Sequence, residues 1–79
     1  MKWVEVNSSA IYALGYDTRR RQLGIEFREK RQIYFYYEVA PAEFEAFLAA
    51  VSKGTYLTTA FLPRNYLYKG PFQSRRGAA

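Results

Sequence analysis

The chain contains no cysteine and no histidine among its 79 residues. These absences exclude disulfide bonds, thiol nucleophiles, imidazole bases and the usual zinc or copper ligand sets. No apolar stretch approaches the ~18 residues of a membrane-spanning helix, and residues 1–6 lack the apolar core of a signal peptide. We therefore expect a cytoplasmic, non-catalytic domain with no metal or other cofactor.

Aromatic and basic residues, by contrast, are abundant. The chain has eight tyrosines, six phenylalanines and one tryptophan, and its net charge is +5. A positive field attracts polyanions, and aromatic rings can stack on nucleic-acid bases. The same rings could instead be buried, because a domain of this size needs large side chains to build a core. The composition favours a small binding module for a polyanion.

The hydrophobic pattern predicts an α+β fold in which one helix packs on a small antiparallel sheet. Three segments are typical of strands and would form a meander: residues 8–17, 23–27 and 33–39. A short helical turn and a fourth strand, residues 65–69, would follow the helix. We expect residues 1–70 to form one domain and residues 71–79 to be a frayed tail.

The sequence pattern of residues 41–52 predicts the helix. Pro41 suits a first helical turn, and Gly54 suits a left-handed C-cap. The spacing i, i+3, i+4, i+7 places one apolar stripe on this helix, made of Phe44, Phe47, Leu48 and Val51. This stripe would cover one face of the sheet.

The pairing of the second and third strands decides where the tyrosines point. If Arg28 lies opposite Gln32, the helix-covered face consists of Leu23, Ile25, Phe27, Ile33, Phe35 and Tyr37. Tyr34 and Tyr36 would then project together from the opposite face, where they could stack on bases. Alternatively, Trp3 or the segment after the helix covers that face, and the tyrosines become a second layer of the core.

Basic residues gather at both ends of the predicted sheet. The run 19–21 at the first hairpin is typical of a solvated turn. The second hairpin and the helix C-terminus would bring further cations together, and we predict that these contact phosphates: Arg28, Lys30, Arg31, Lys53 and Arg64. Arg75 and Arg76 of the tail could join them.

Several short motifs, in a fixed order, resemble the KTSC domain over about residues 6–69. They include Gly15-Tyr16-Asp17, Tyr34-x-Tyr36 and Ser52-x-Gly54. The family is named for the C-terminal domain of some lysyl-tRNA synthetases and includes small stand-alone bacterial and phage proteins. The resemblance implies a role in RNA binding through that association. This chain departs from the family pattern after Tyr56, where Thr58 stands in place of the usual Asn.

These observations predict a module that binds RNA or single-stranded nucleic acid. Tyr34 and Tyr36 would stack on bases while the five cations meet phosphates. Two alternatives stay open: a protein-interaction module or homodimer, and a pocket for a small anionic nucleotide. Exposed rings beside basic residues would favour nucleic acid, an apolar symmetric contact would favour a dimer, and a closed basic cavity would favour a nucleotide.

Overall fold

The computed structural model describes residues 1–74 of the chain. The strands are β1 Lys2–Glu5, β2 Ile11–Asp17, β3 Gln22–Phe27, β4 Gln32–Tyr36 and β5 Tyr68–Gln73. A 3₁₀ turn, Glu29–Arg31, joins β3 to β4. The helices are α1 Pro41–Ala49 and α2 Lys53–Tyr56, and α2 continues through a π turn, Leu57–Phe61, and a 3₁₀ turn, Leu62–Arg64. We call residues 53–64 the helical segment.

The five strands form one antiparallel sheet in the order β1-β2-β3-β4-β5. The expected α+β fold is confirmed. The sequence pattern missed β1, which is short and mostly exposed, and misplaced β5. Pro71, Phe72 and Gln73 belong to β5, so the tail does not begin at residue 71. Arg75 and Arg76 lie outside the described residues.

The main helix ends earlier than predicted. Ala50 is extended, and Ser52 begins a new helix by accepting a 3.2 Å hydrogen bond from the backbone N–H of Thr55. An N-cap of this kind is favourable for serine, so Gly54 lies inside α2 and not at a C-cap. The predicted apolar stripe is correspondingly shorter, since Phe47 is buried but Val51 is fully exposed.

The predicted register between β3 and β4 is wrong by one residue. Leu23 lies opposite Tyr36, Ile25 opposite Tyr34, and Glu26 opposite Ile33. Because side chains alternate between faces, this shift moves every β4 side chain to the other side of the sheet. Tyr34 and Tyr36 therefore lie on the side that the helices cover.

Two features distinguish the opposite side, which we call the open side. The indole of Trp3 lies against the backbone of Gly15 and Gly24, so closely that a Cβ there would come within 2.7 and 2.6 Å of the ring. The fully buried Glu26 accepts a 2.7 Å ion-paired hydrogen bond from Arg31 Nε. The pairing offsets part of the cost of burying a carboxylate opposite an apolar residue.

The core lies between the sheet and the helices. Its buried side chains are Ile11, Leu14, Tyr16, Leu23, Ile25, Tyr36, Val39, Phe47, Leu57 and Phe61. The Phe61 ring contacts both Tyr36 and Phe47, with centroids 4.9 and 5.4 Å away. The helical segment thus joins the sheet and α1 in one core. No helix within residues 1–74 is long and apolar enough to cross a membrane.

Candidate functional site

A groove runs between the sheet and the helical segment. It consists of two adjoining cavities of about 250 and 500 Å³, which share Tyr34, Tyr36 and Leu62. The smaller cavity is completed by Phe61, Asn65, Tyr66 and Tyr68. The larger one extends to Ser9, Ala10, Phe27, Glu29, Gln32 and Leu57. We call the whole feature the tyrosine groove.

The two tyrosines singled out by the sequence differ in accessibility. Tyr36 is only 6% exposed, and its ring packs against Phe61 and Tyr68. Burial, with the neighbouring Tyr68 and Tyr34, raises the pKa of Tyr36 to about 12, so it remains a neutral phenol at physiological pH. Tyr34 is only partly buried. The idea of a paired, open tyrosine platform is therefore wrong: Tyr36 belongs to the core, and Tyr34 faces the groove.

Tyr68 supplies the groove with the exposed ring that Tyr36 does not. It pairs with Tyr36 across β4 and β5, and it is 57% exposed. Its ring centroid lies 5.8 Å from that of Tyr34. Tyr34 in turn meets Phe27 edge-on at 5.7 Å. The groove therefore contains adjacent rings that a flat ligand could contact.

The buried carboxylate of Glu43 holds one wall of the groove in place. Glu43 of α1 accepts hydrogen bonds from the hydroxyls of Tyr56 and Tyr66, the latter at 3.0 Å, and an ion-paired bond of 2.5 Å from Arg64 Nε. The bond to Glu43 raises the pKa of Tyr56, and burial followed by this bond raises the pKa of Tyr66. These bonds tie the end of the helical segment to α1 and orient Tyr66.

The five predicted phosphate-contacting cations do not form one cluster. Arg28 donates to the backbone carbonyls of Ser8 and Val6 and so holds the loop before β2. Lys53 donates a 2.7 Å hydrogen bond to the carbonyl of Ala50 at the junction of the two helices. Both side chains stabilise local backbone as well as carrying charge.

The remaining three cations differ from one another. Arg31 pairs with Glu26 and lies 3.6 Å over the ring of Tyr12, on the open side. Lys30 is exposed in the Glu29–Arg31 turn, where it directly follows Glu29 of the larger cavity. Arg64 directly precedes Asn65 of the smaller cavity, and its side chain is 56% exposed despite its ion pair. Lys30 and Arg64 are therefore each the sequence neighbour of a residue that lines the tyrosine groove.

The open side carries an aromatic row that the sequence did not reveal. Trp3 meets Phe35 edge-on with ring centroids 6.4 Å apart, and Phe35 contacts Phe72 at 5.7 Å. The row spans both edges of the sheet because the two small glycines let Trp3 lie across β2 and β3. Long-range pairing of β1 and β5 creates this row, so no local signal predicts it.

The sequence also missed the residues that complete the smaller cavity. Tyr66 and Tyr68 repeat the Tyr-x-Tyr spacing of Tyr34 and Tyr36. This repetition was the one feature of the sequence that pointed to them. Asn65 has φ 58°, a left-handed conformation that asparagine tolerates better than most residues. No group of three or more acidic residues within residues 1–74 is placed to hold a metal ion.

Comparisons with known proteins agree with this fold. A protein of Stutzerimonas stutzeri strain A1501, described as uncharacterized, is 37% identical over 68 residues, which cover 86% of this chain and 94% of that protein. A protein of Tsukamurella paurometabola is 42% identical over 59 residues, covering 75% of this chain and 87% of its own.

A solved structure and a family model identify the group. The crystal structure of a KTSC domain protein from Yersinia pestis superposes with a TM-score of 0.80 at 32% identity, covering 90% of this chain and 97% of that one. The KTSC domain model matches residues 7–66. The order of motifs, the fold and both kinds of similarity therefore lead to one conclusion, that this chain belongs to the KTSC domain family.

Proposed function

We propose that this protein is a cytoplasmic, non-catalytic module that binds single-stranded nucleic acid, RNA foremost, through the tyrosine groove. The observation that carries the proposal is the groove itself, in which Tyr34 and Tyr68 have accessible rings. Single strands are commonly bound by stacking their bases on aromatic side chains. The stacking role predicted for Tyr36 passes to Tyr68, while Tyr34 keeps its own.

The chemistry of the groove suits bases better than phosphates. The smaller cavity is lined by aromatic rings, one leucine and one amide, and none of its side chains is charged. A phosphate placed there would lose hydration without gaining a cation. A base is flat, largely apolar on its faces and uncharged, so it loses little on entry. The two cavities together fall within the roughly 300–1,000 Å³ typical of ligand sites.

Phosphates would remain at the rim of the groove. Lys30 directly follows Glu29 of the larger cavity in sequence, and Arg64 directly precedes Asn65 of the smaller one. The net charge of +5 would steer a polyanion toward the molecule at low salt. Glu29 lines the larger cavity and would repel a phosphate from its interior. This arrangement favours a strand that enters bases first and leaves its backbone outside.

The test is a titration of labelled single-stranded RNA, single-stranded DNA and duplex with wild-type protein and two variants. Tyr68→Ala removes an exposed ring from the groove, and we expect it to weaken single-strand binding by ~1–3 kcal/mol. Phe72→Ala is the matched control, because it removes a 47% exposed ring from the same strand on the other side of the sheet. Equal losses in both variants, or no single-strand binding by the wild type, would reject the proposal.

A second candidate, self-association, is favoured by the aromatic row on the open side. Trp3, Phe35 and Phe72 would give a dimer an apolar contact. Pairing through the sheet edges is less favourable, because Lys69 and Pro71 lie on β5, and lysine and proline discourage edge pairing. Sedimentation velocity of wild type and Phe72→Ala tests this candidate. A wild-type monomer at high protein concentration would exclude it. Titration with mononucleotides tests the smaller-ligand alternative.

A further inference from the structure

Asn65 occupies an unusual place at the end of the helical segment. It is the left-handed C-cap of the last 3₁₀ turn, and its backbone N–H donates a 3.0 Å hydrogen bond to the carbonyl of Leu62. Asn65 is exposed and is one of the residues that line the smaller cavity. Within residues 1–74, no hydrogen bond engages its amide group. The backbone of Asn65 is therefore used by the fold, while its side chain is available to a ligand.

Tyr34 and Tyr68 of the smaller cavity are assigned to stacking, and its two other tyrosines are less suited to recognising the edge of a ligand. Tyr66 donates its hydroxyl proton to Glu43. Tyr36 is largely buried beneath the other rings. An asparagine amide, in contrast, presents two donors and an acceptor in one plane. This planar set matches the edge of a nucleobase, where donors and acceptors also alternate in a plane.

We propose that Asn65 reads the edge of an unpaired base inserted in the smaller cavity, so that the groove recognises a single-stranded base by its hydrogen-bonding edge. The inference rests on the proposed function. The Watson–Crick edge of each base offers at least one donor beside an acceptor, so an amide that turns about its last torsion can pair with any of the four. The wild-type protein should therefore require an unpaired base while discriminating weakly among bases.

A change of side-chain chemistry at residue 65 would alter which bases the cavity prefers. Aspartate has the shape of asparagine and also tolerates the left-handed region, but its carboxylate only accepts hydrogen bonds. The Watson–Crick edge of guanine presents two neighbouring donors, whereas those of adenine, cytosine and uracil each present only one. Asn65→Asp should therefore convert weak discrimination into a preference for guanine.

The experiment uses strands in which one central uracil, adenine, cytosine or guanine is flanked only by abasic positions, together with a fully abasic strand. We expect Asn65→Asp to change the ratio of guanine to uracil affinity by roughly five- to a hundredfold, the range for a good bidentate pair. Asn65→Gly removes the amide yet suits the backbone. It should lower affinity for strands with a central base and leave the abasic strand unchanged.

Asn7→Asp is the control, since it makes the same charge change at an exposed residue that does not line the groove. Comparing ratios among strands cancels the added negative charge. If Tyr68→Ala weakens binding but both Asn65 variants keep the wild-type ratios, Asn65 does not read the base and only this inference fails. If the wild type binds none of the strands, the proposed function fails and the inference fails with it.

Discussion

The hydroxyl of Tyr66 donates a 3.0 Å hydrogen bond to the buried carboxylate of Glu43, and this bond connects the wall of the groove to helix α1. The same carboxylate holds Arg64 and Tyr56. One acidic side chain thus positions three groups contributed by the helical segment and the stretch that follows it. The shape of the smaller cavity depends on a residue that is not among those lining it.

Glu43→Ala should therefore disturb both stability and the groove. Removing the carboxylate leaves two phenols and one guanidinium without their acceptor, and we expect a loss of about 1–3 kcal/mol in the free energy of unfolding. Urea denaturation measures this loss. Glu45→Ala is the control, because Glu45 is exposed on the same helix. Equal stabilities of the two variants would contradict the assigned role of Glu43.

The contact between Trp3 and Gly24 predicts that Gly24→Ala destabilises the fold only when the indole of Trp3 is present. Gly24→Ala would place its Cβ 2.6 Å from the indole, and we expect a cost of about 1–3 kcal/mol from overpacking. In a Trp3→Ala background the same change should cost much less, because the ring is gone. A double-mutant cycle by thermal or urea unfolding measures the coupling. Additive effects would show that the ring does not lie on this glycine.

The early end of α1 predicts opposite outcomes for two residues that share a helical stripe in the sequence. Phe47 is fully buried, so Phe47→Ala should cost roughly 3–5 kcal/mol of stability. Val51 is fully exposed beyond the helix, so Val51→Ala should change stability by no more than about 0.5 kcal/mol. Denaturation of both variants tests the packing, and a large cost at Val51 would contradict it.

The raised pKa of Tyr36 predicts a loss of stability in alkaline solution. The pKa of about 12 lets the folded protein hold this proton well above pH 10, where the tyrosine of an unfolded chain, with its ordinary pKa of 10.0, has begun to release it. Stability from this group is therefore complete below about pH 10 and declines as the pH rises toward 12. Tyr36→Phe should flatten this decline. Parallel denaturation of wild type and variant across the range measures the difference, and identical profiles would contradict a buried phenol.

Binding of a single strand should weaken with salt in a limited way. Two cations, Lys30 and Arg64, neighbour residues of the groove, so about two phosphate contacts should give a slope of log K against log salt of about −1 to −1.5. Lys30→Glu should flatten the slope and weaken all strands alike, because phosphate contacts do not read sequence. The control is the charge reversal Arg19→Glu. Arg19 lies in the β2–β3 hairpin turn, at the end of β3 away from Lys30. A salt-independent affinity would contradict phosphate contacts at the rim.

Local chemistry in the sequence was enough to predict much of the fold. Pro41 begins a helix because its fixed φ and missing N–H suit a first turn. Asp17 makes a turn because its carboxylate accepts from the N–H groups of Arg19 and Arg20 at 3.0 and 3.1 Å. The strands β2 to β4 follow from alternation and β-branched or aromatic content. Each of these signals acts between residues that are close along the chain.

The site was determined by contacts between residues distant in sequence. Whether Tyr34 faces the helices depends on a one-residue difference in register, and the alternating pattern of β4 is aromatic on both faces, so it cannot choose. In the observed register Phe35 packs against Trp3, and Ile33 lies opposite the ion-paired Glu26. The sequence alone thus determined the elements and the family, whereas tertiary packing decided which tyrosines are core, because only packing makes the two faces of the sheet different.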